Sequence, residues 1–377
     1  MNLREVVAAH RVVVCLGSGG VGKTTTSAAI GLRAAIEGRN TLCLTIDPAK
    51  RLANSLGLSE LSGEEQRVDP SLFQKQGLPV RGSLSAMMLD MKRTFDELVT
   101  RNARSPEHRR RILDNRIYQY VSTSLAGTQE YMAMEKLHAV RQDPRFDCIV
   151  LDTPPTTNAL DFLEAPQRLV GAIDSPVMRW FIEQMAERRG LGLLGKGAAF
   201  VLRGLSKFTG GEFLEQVGEF VSGINDLFGG FRSRAQAVYD AMRGPDVAFL
   251  IVTSPAPVAV GEALFFRKKL NEYGIVPAGV VVNRVQSEVE PYEPPDPAAL
   301  SPVMPAGTDA RDLLARMQQA ASDQDAIATR DREGLRRLRE NIDPHGAYTE
   351  VPALETDVHD LSTLAEIGTH LFGPLPA

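Results

Sequence analysis

Apolar residues follow two different periods along this chain. The runs Arg11–Leu16, Asn40–Ile46, Phe146–Leu151, Val247–Val252 and Val276–Val282 are short and rich in β-branched residues, without polar alternation. That pattern predicts strands buried on both faces, as in a parallel sheet. Between them the pattern turns helical. In Glu212–Phe228, residues Phe213, Leu214, Val217, Phe220, Val221, Ile224, Leu227 and Phe228 share one stripe of a helix, whose period is about 3.6 residues. Phe231, Ala235, Val238, Tyr239 and Met242 extend the same logic beyond Gly229-Gly230. Strands alternating with helices predict an α/β chain with a doubly wound, mostly parallel sheet. The long intervals after the second and third strands predict a helical subdomain inserted in two pieces. Gly190–Gly211 is rich in glycine, and Ser287–Ala310 carries Pro291, Pro294, Pro295, Pro297, Pro302 and Pro305, which predicts an exposed extended loop.

Chemistry enters at the end of the first strand. Gly17-Ser18-Gly19-Gly20-Val21-Gly22-Lys23-Thr24 fits G-x-x-x-x-G-K-[ST], between the strand Val12–Leu16 and the helical stretch Thr24–Glu37. Glycines let successive main-chain amides face one anion, and a helix N-terminus adds its dipole. The amides of Gly19, Gly20, Val21, Gly22, Lys23, Thr24 and Thr25 are therefore the expected phosphate cradle, with Lys23 reaching the β- and γ-phosphates and the Thr24 hydroxyl offered to Mg²⁺. Such a site also needs a carboxylate at the end of a neighbouring strand. Asp152 follows the strand Cys148–Leu151, and Asp47 ends the second strand. Either alone could be a helix cap; two facing one P-loop point to function. The expected organisation is a P-loop nucleotide-binding domain over 1–80, 141–165 and 245–377, with helical insertions at 81–140 and 166–244.

Composition narrows the partners. Charges of 42 Lys and Arg against 47 Asp and Glu leave −5, so no global basic field exists to hold nucleic acid. The longest uncharged stretch, Val247–Gly261, contains two prolines and falls short of the roughly 20 residues of a membrane span; no stable membrane insertion is expected. Nothing at the start reads as a signal peptide. Cys15, Cys43 and Cys148 sit in predicted strands, which makes them buried thiols and the cytoplasm the expected location.

The motifs, taken in order, resemble those of the arsenical-pump (ArsA-like) and tail-anchored-protein-targeting ATPases, a group with a deviant Walker A loop within the larger MinD/ParA set. Ser18 to Thr25 is similar to that loop, Thr45-Ile46-Asp47-Pro48-Ala49 to switch I, and Asp152-Thr153-Pro154-Pro155-Thr156-Thr157 with Leu160 to switch II. Leu84–Met87 with Asp90, and Gly127–Glu130, resemble weaker family patches. Val282-Asn283 resembles the adenine-reading asparagine, and Val351-Pro352-Ala353-Leu354-Glu355 the loop that closes over the base. The resemblance implies an ATPase using ATP and Mg²⁺, working as a homodimer or as a heterodimer with a related ATPase. Asp47 would position the attacking water, Asp152 would hold Mg²⁺ through water, and Asn283 with Pro352, Ala353 and Leu354 would hold adenine. Nucleotide state would open and close a helical surface for an apolar helical client.

Three departures stand out. The family lysine that reaches across the dimer is Ser18 here, which implies slow or partner-dependent hydrolysis. The zinc-binding C-x-x-C is missing, so no zinc is expected, and the cysteines suit neither an iron–sulfur cluster nor a thiolate arsenite site. Two other readings compete with the targeting ATPase. One is a weakly hydrolysing regulatory subunit, motivated by Ser18. The other is a MinD/ParA-type positioning ATPase, motivated by Arg101, Arg104, Arg109, Arg110, Arg111 and Arg116 and by Arg330, Arg332, Arg336, Arg337 and Arg339. Both basic clusters are diluted by acids, as on a solvated helix face. Met87, Met88, Met91, Met132, Met134, Met178 and Met185 suit an adaptable client groove, although methionine at helical spacing is more often core filling.

Overall fold

A computed structural model describes residues 1–46, 51–124, 128–154, 164, 165, 168, 171, 220, 236–288, 296 and 309–375. The expected helix Glu212–Phe228 (Phe220 apart), the glycine-rich Gly190–Gly211, most of the proline-rich segment and Asp47 lie outside them.

In chain order the first half runs α1 (Leu3–Ala9), β1 (Val12–Leu16), α2 (Lys23–Ile36), β2 (Asn40–Thr45) and α3 (Arg51–Ser55). β3 (Gln66–Arg67), α4 (Pro70–Lys75) and β4 (Ser83–Met88) follow. Next come α5 (Met91–Asn102), α6 (Pro106–Leu113), α7 (Arg116–Ser124), α8 (Thr128–Arg141) and β5 (Cys148–Asp152). Beyond them stand β6 (Val247–Thr253), α9 (Pro257–Glu272), β7 (Gly279–Val285), α10 (Ala310–Arg339), β8 (Ala347–Pro352) and α11 (Leu361–Phe372).

The strands form one sheet in the order β3-β4-β2-β5-β1-β6-β7-β8. Every pairing is parallel except β3 with β4. The five strands expected from the apolar runs are all present. The segment 81–140 opens with a strand rather than a helix: β4 pairs with β2 from Asn40↔Ser83 to Thr45↔Met88, and helices begin at Met91. β8 extends the sheet beside β7, so Val351 and Pro352 belong to a strand end, with Ala353 the first residue past it.

Side chains alternate between two apolar layers, as a strand's period of two requires. Val13, Cys15, Cys43, Val150, Leu250 and Val281 meet α1, α2 and α11 on one face. Val12, Val14, Leu42, Leu44, Ile149, Phe249 and Val282 meet α8, α9 and the end of α10 on the other. Helix α2 lies close to the sheet because it is lined with small residues; a Cβ on Gly31 would stand 2.3 Å from the Cys43 sulfur. Met87, Met132 and Met134 are buried in the second layer, where unbranched thioethers fill gaps, so these three do not line an exposed client surface. Among the described residues no helix is long and apolar enough to cross a membrane.

Candidate functional site

β1 lies inside the sheet, between β5 and β6. The glycine loop leaves its C-terminal end and runs into α2. Gly17 packs against β6, where a Cβ would fall 2.1 Å from the Val252 carbonyl oxygen. Gly20 and Gly22 take left-handed conformations, with φ of 78° and 92°, which glycine reaches without steric cost. Gly22 is the N-cap of α2, and no side chain caps the first turn. The N-cap residue thus offers no side chain to compete with an anion at this helix N-terminus.

Lys23 is 6% exposed, and its Nζ donates to the Ser18 carbonyl oxygen at 2.7 Å. The ammonium is held inside the loop that it would otherwise share with phosphate. The neighbouring Thr24 hydroxyl donates to Asp152 Oδ2 at 2.8 Å. Thr45 donates to the same oxygen at 3.0 Å, because parallel pairing puts Thr45 level with Asp152. The Asp152 carboxylate is 1% exposed at the end of β5. Next to it, Thr153 donates its hydroxyl to the Cys15 carbonyl at 2.8 Å, tying β5 to the base of the glycine loop. Hydroxyls and a carboxylate are hard oxygen donors, the set Mg²⁺ prefers.

A cleft of about 670 Å³ adjoins this corner. It gathers Gly22 and Thr25 from the glycine loop and α2, Asn283 from β7, and Pro352, Ala353 and Leu354 from β8 and the segment after it. These positions are far apart in sequence, and folding brings them to one wall. Asn283 is buried, and its side chain is already engaged: Nδ2 donates to the Val21 carbonyl at 3.0 Å, and Oδ1 accepts from the Arg284 amide at 3.0 Å. Gly22 makes room for it, since a Cβ there would lie 2.1 Å from Nδ2. Gly19 and Gly20 are exposed at the loop rim, whereas Val21 is buried. Thr45, which the sequence offered only as the first residue of the switch I-like motif, also borders the site, as do Arg51 and Arg284, which escaped sequence reasoning. Thr45 was within reach, because a parallel β2–β5 pair places it opposite Asp152.

The three cysteines are free and buried in β1, β2 and β5. Burial pushes the Cys15 thiol up to about 12, with a hydrogen bond involving Ser27 pulling the other way. Burial likewise raises Cys43, and Cys148 to about 11. Thiolates, the form that binds soft metals, are therefore suppressed at neutral pH. A second cavity, of about 320 Å³, is lined by Ile251, Leu264, Arg267, Val280, Leu338 and Ala347 among others and shares no lining residue with the cleft.

A glycine loop between a sheet strand and a helix, with a strand-end carboxylate held to its threonine, defines a P-loop nucleoside triphosphatase fold. The sequence pattern of the anion-transporting ATPases matches residues 10–293. The chain belongs to that family. It is 26% identical over 278 residues to "ATPase get3" of Schizosaccharomyces pombe, covering 71% of each chain. Similarity to "ATPase get3" of Schizosaccharomyces japonicus is 28% over 157 residues, or 42% of this chain and 44% of that one. A protein of Aquifex aeolicus provisionally named as arsenical pump-driving ATPase 1 is 26% identical over 182 residues, 46% of this chain and 40% of its own length. The chain thus spans less than half of the latter two relatives.

Proposed function

We propose that this chain binds and hydrolyses Mg-ATP and couples its nucleotide state to a helical client or partner surface. The observation that carries the reading is the buried Asp152 carboxylate receiving the Thr24 hydroxyl at the mouth of the glycine loop. In this reading Lys23 exchanges the Ser18 carbonyl for phosphate oxygens, and the amides of Gly19 to Thr25 complete the cradle. Thr24 and Asp152 hold Mg²⁺, Asp152 through water. The ion would supply charge neutralisation on the phosphate oxygens. Asp47 orients the attacking water, a role resting on its place in the switch-like motif. Asn283, Pro352, Ala353 and Leu354 border the end of the cleft that receives adenine.

The family's cross-dimer lysine is Ser18 here, which favours a second arrangement, a heterodimer with a lysine-bearing relative in which this chain turns over slowly. A homodimer is the simpler alternative. The client is an apolar helix, by resemblance to the targeting ATPases, and the cytoplasm is the setting. Calorimetric titration with Mg-ATP, paired with phosphate release, tests the reading. Lys23→Ala abolishes binding, whereas Asp47→Asn keeps binding and loses turnover. Absence of heat with any adenine nucleotide, alone and beside a lysine-bearing relative, overturns it.

A further inference from the structure

The cleft beside the glycine loop is lined by four charged or titratable side chains among the described residues: Arg51, Arg284, Asp357 and His359. Arg51 opens α3, and Arg284 follows Asn283 on β7. Both are exposed, and neither is recorded in an ion pair among the described residues. Elsewhere arginines are routinely paired, as in Arg93 with Glu64 and Arg145 with Glu65. Two guanidinium groups against one carboxylate leave the cleft wall positive.

Arg284 is held in an uncommon way. Its φ is 61°, making it the non-glycine residue with left-handed backbone among the described residues. That conformation costs free energy and persists only where surrounding contacts impose it. Two hydrogen bonds of Asn283 hold it: the Arg284 amide donates to Asn283 Oδ1, while Asn283 Nδ2 donates to the Val21 carbonyl of the glycine loop. One side-chain amide thus fixes both the phosphate loop and the backbone that carries the arginine.

We propose that Arg51 and Arg284 form a cationic clamp at the mouth of this cleft that draws in the phosphate tail of the nucleotide, supplying within one chain positive charge that Ser18 does not. The proposal rests on the nucleotide site proposed above and adds the residues that read its charge. Guanidinium forks suit phosphate oxygens geometrically as well as electrostatically. Asn283 is a positioning residue in this scheme, acting through Arg284 and Val21.

ADP with Mg²⁺ is the probe, since it binds without turnover. Isothermal titration is run on the full chain as wild type, Arg51→Gln, Arg284→Gln, Arg284→Gly and the double glutamine variant, at several salt concentrations. Arg284→Gly removes the charge while relieving the left-handed strain, so it folds at least as well as wild type. Each single variant is expected to weaken ADP binding about tenfold, and the double variant more, with a flatter dependence on salt. Arg284→Lys recovers part of the loss. Wild-type affinity and salt dependence in the double variant overturn the clamp and leave the nucleotide site standing. Failure of the wild-type chain to bind ADP removes the site itself, and the clamp with it.

Discussion

Gly22 does three things at one Cα: it turns the loop through left-handed φ, opens α2, and leaves space for the Asn283 amide. Gly22→Ala is therefore expected to fail locally rather than globally. A methyl group 2.1 Å from Nδ2 must push Asn283 away from Val21. The strain and the lost hydrogen bond together cost about 2–3 kcal/mol, with nucleotide affinity falling at least tenfold. Chemical denaturation and ADP titration of the same preparation separate the two effects. Thr24→Ala removes a donor from Asp152 and a candidate Mg²⁺ ligand at once. It should erase the Mg²⁺ dependence of nucleotide affinity while leaving the metal-free affinity nearly unchanged, a comparison made by titrating ADP with and without EDTA. The loop and Asp152 were readable in the sequence because their signal is local: a fixed spacing after an apolar run. The amide bridge of Asn283 was not, since it joins residues 262 apart in sequence, and the left-handed Arg284 was not, since no glycine marks that position.

The five strands with uninterrupted apolar runs announced themselves, because a strand covered on both faces has no polar alternation to confuse it. The missed strands have mixed patterns for a physical reason. β4 carries Ser83 and Ser85, β3 is only Gln66–Arg67, and β8 at the far edge is half-buried through Tyr348, Thr349 and Glu350. β3 and β8 are edge strands, with one neighbour and more water, so their composition resembles that of loops, whereas β4 lies between β3 and β2 and only its serines interrupt the apolar run. Helix α2 shows what composition cannot disclose: Arg33 on it is 1% exposed. Its Nε donates to Glu37, and Nη1 and Nη2 donate to the carbonyls of Gly373 and Pro374 at 3.0 and 2.8 Å. This guanidinium fastens the end of α11 to α2. Arg33→Ala leaves the carbonyls unsatisfied beside a void, and a loss of about 2–4 kcal/mol is expected in urea denaturation. The strand thiols give the sheet an alkaline weakness. All three are held above the ordinary value of 9.0 by burial. Unfolded thiols ionise first, so their contribution is complete below about pH 9 and is withdrawn as pH rises, by up to about 1.4 kcal/mol per unit for each. Denaturation midpoints measured from pH 7 to 10.5 should fall, and Cys148→Ala should flatten part of that fall.

Across the whole molecule, the proposed nucleotide cleft is assembled from four separate stretches: the glycine loop with α2, the start of α3, the end of β7, and the segment that joins β8 to α11. α2 touches five strands, β1, β2, β4, β5 and β6, and Arg33 binds it to the chain's last described turn. A ligand in the cleft therefore contacts a rigid wall and two short connections: Arg51–Ser55, which leaves Arg51 and Asn54 exposed, and Pro352–His359, in which no side chain is buried. Ordering is expected in those connections, since the wall is already packed. Hydrogen exchange with and without saturating Mg-ADP should show protection concentrated at 51–58 and 353–360. The exposed middle of α10, around Arg316 to Asp325, should exchange identically in both states, as it borders no part of the cleft. Saturation at about a hundred times Kd should also raise global stability by about 2.7 kcal/mol. Protection confined to the glycine loop, with the segment after β8 unchanged, would mean that the nucleotide is held by its phosphates alone. The adenine roles of Pro352, Ala353 and Leu354 would then fall, while those of Lys23, Thr24 and Asp152 would survive.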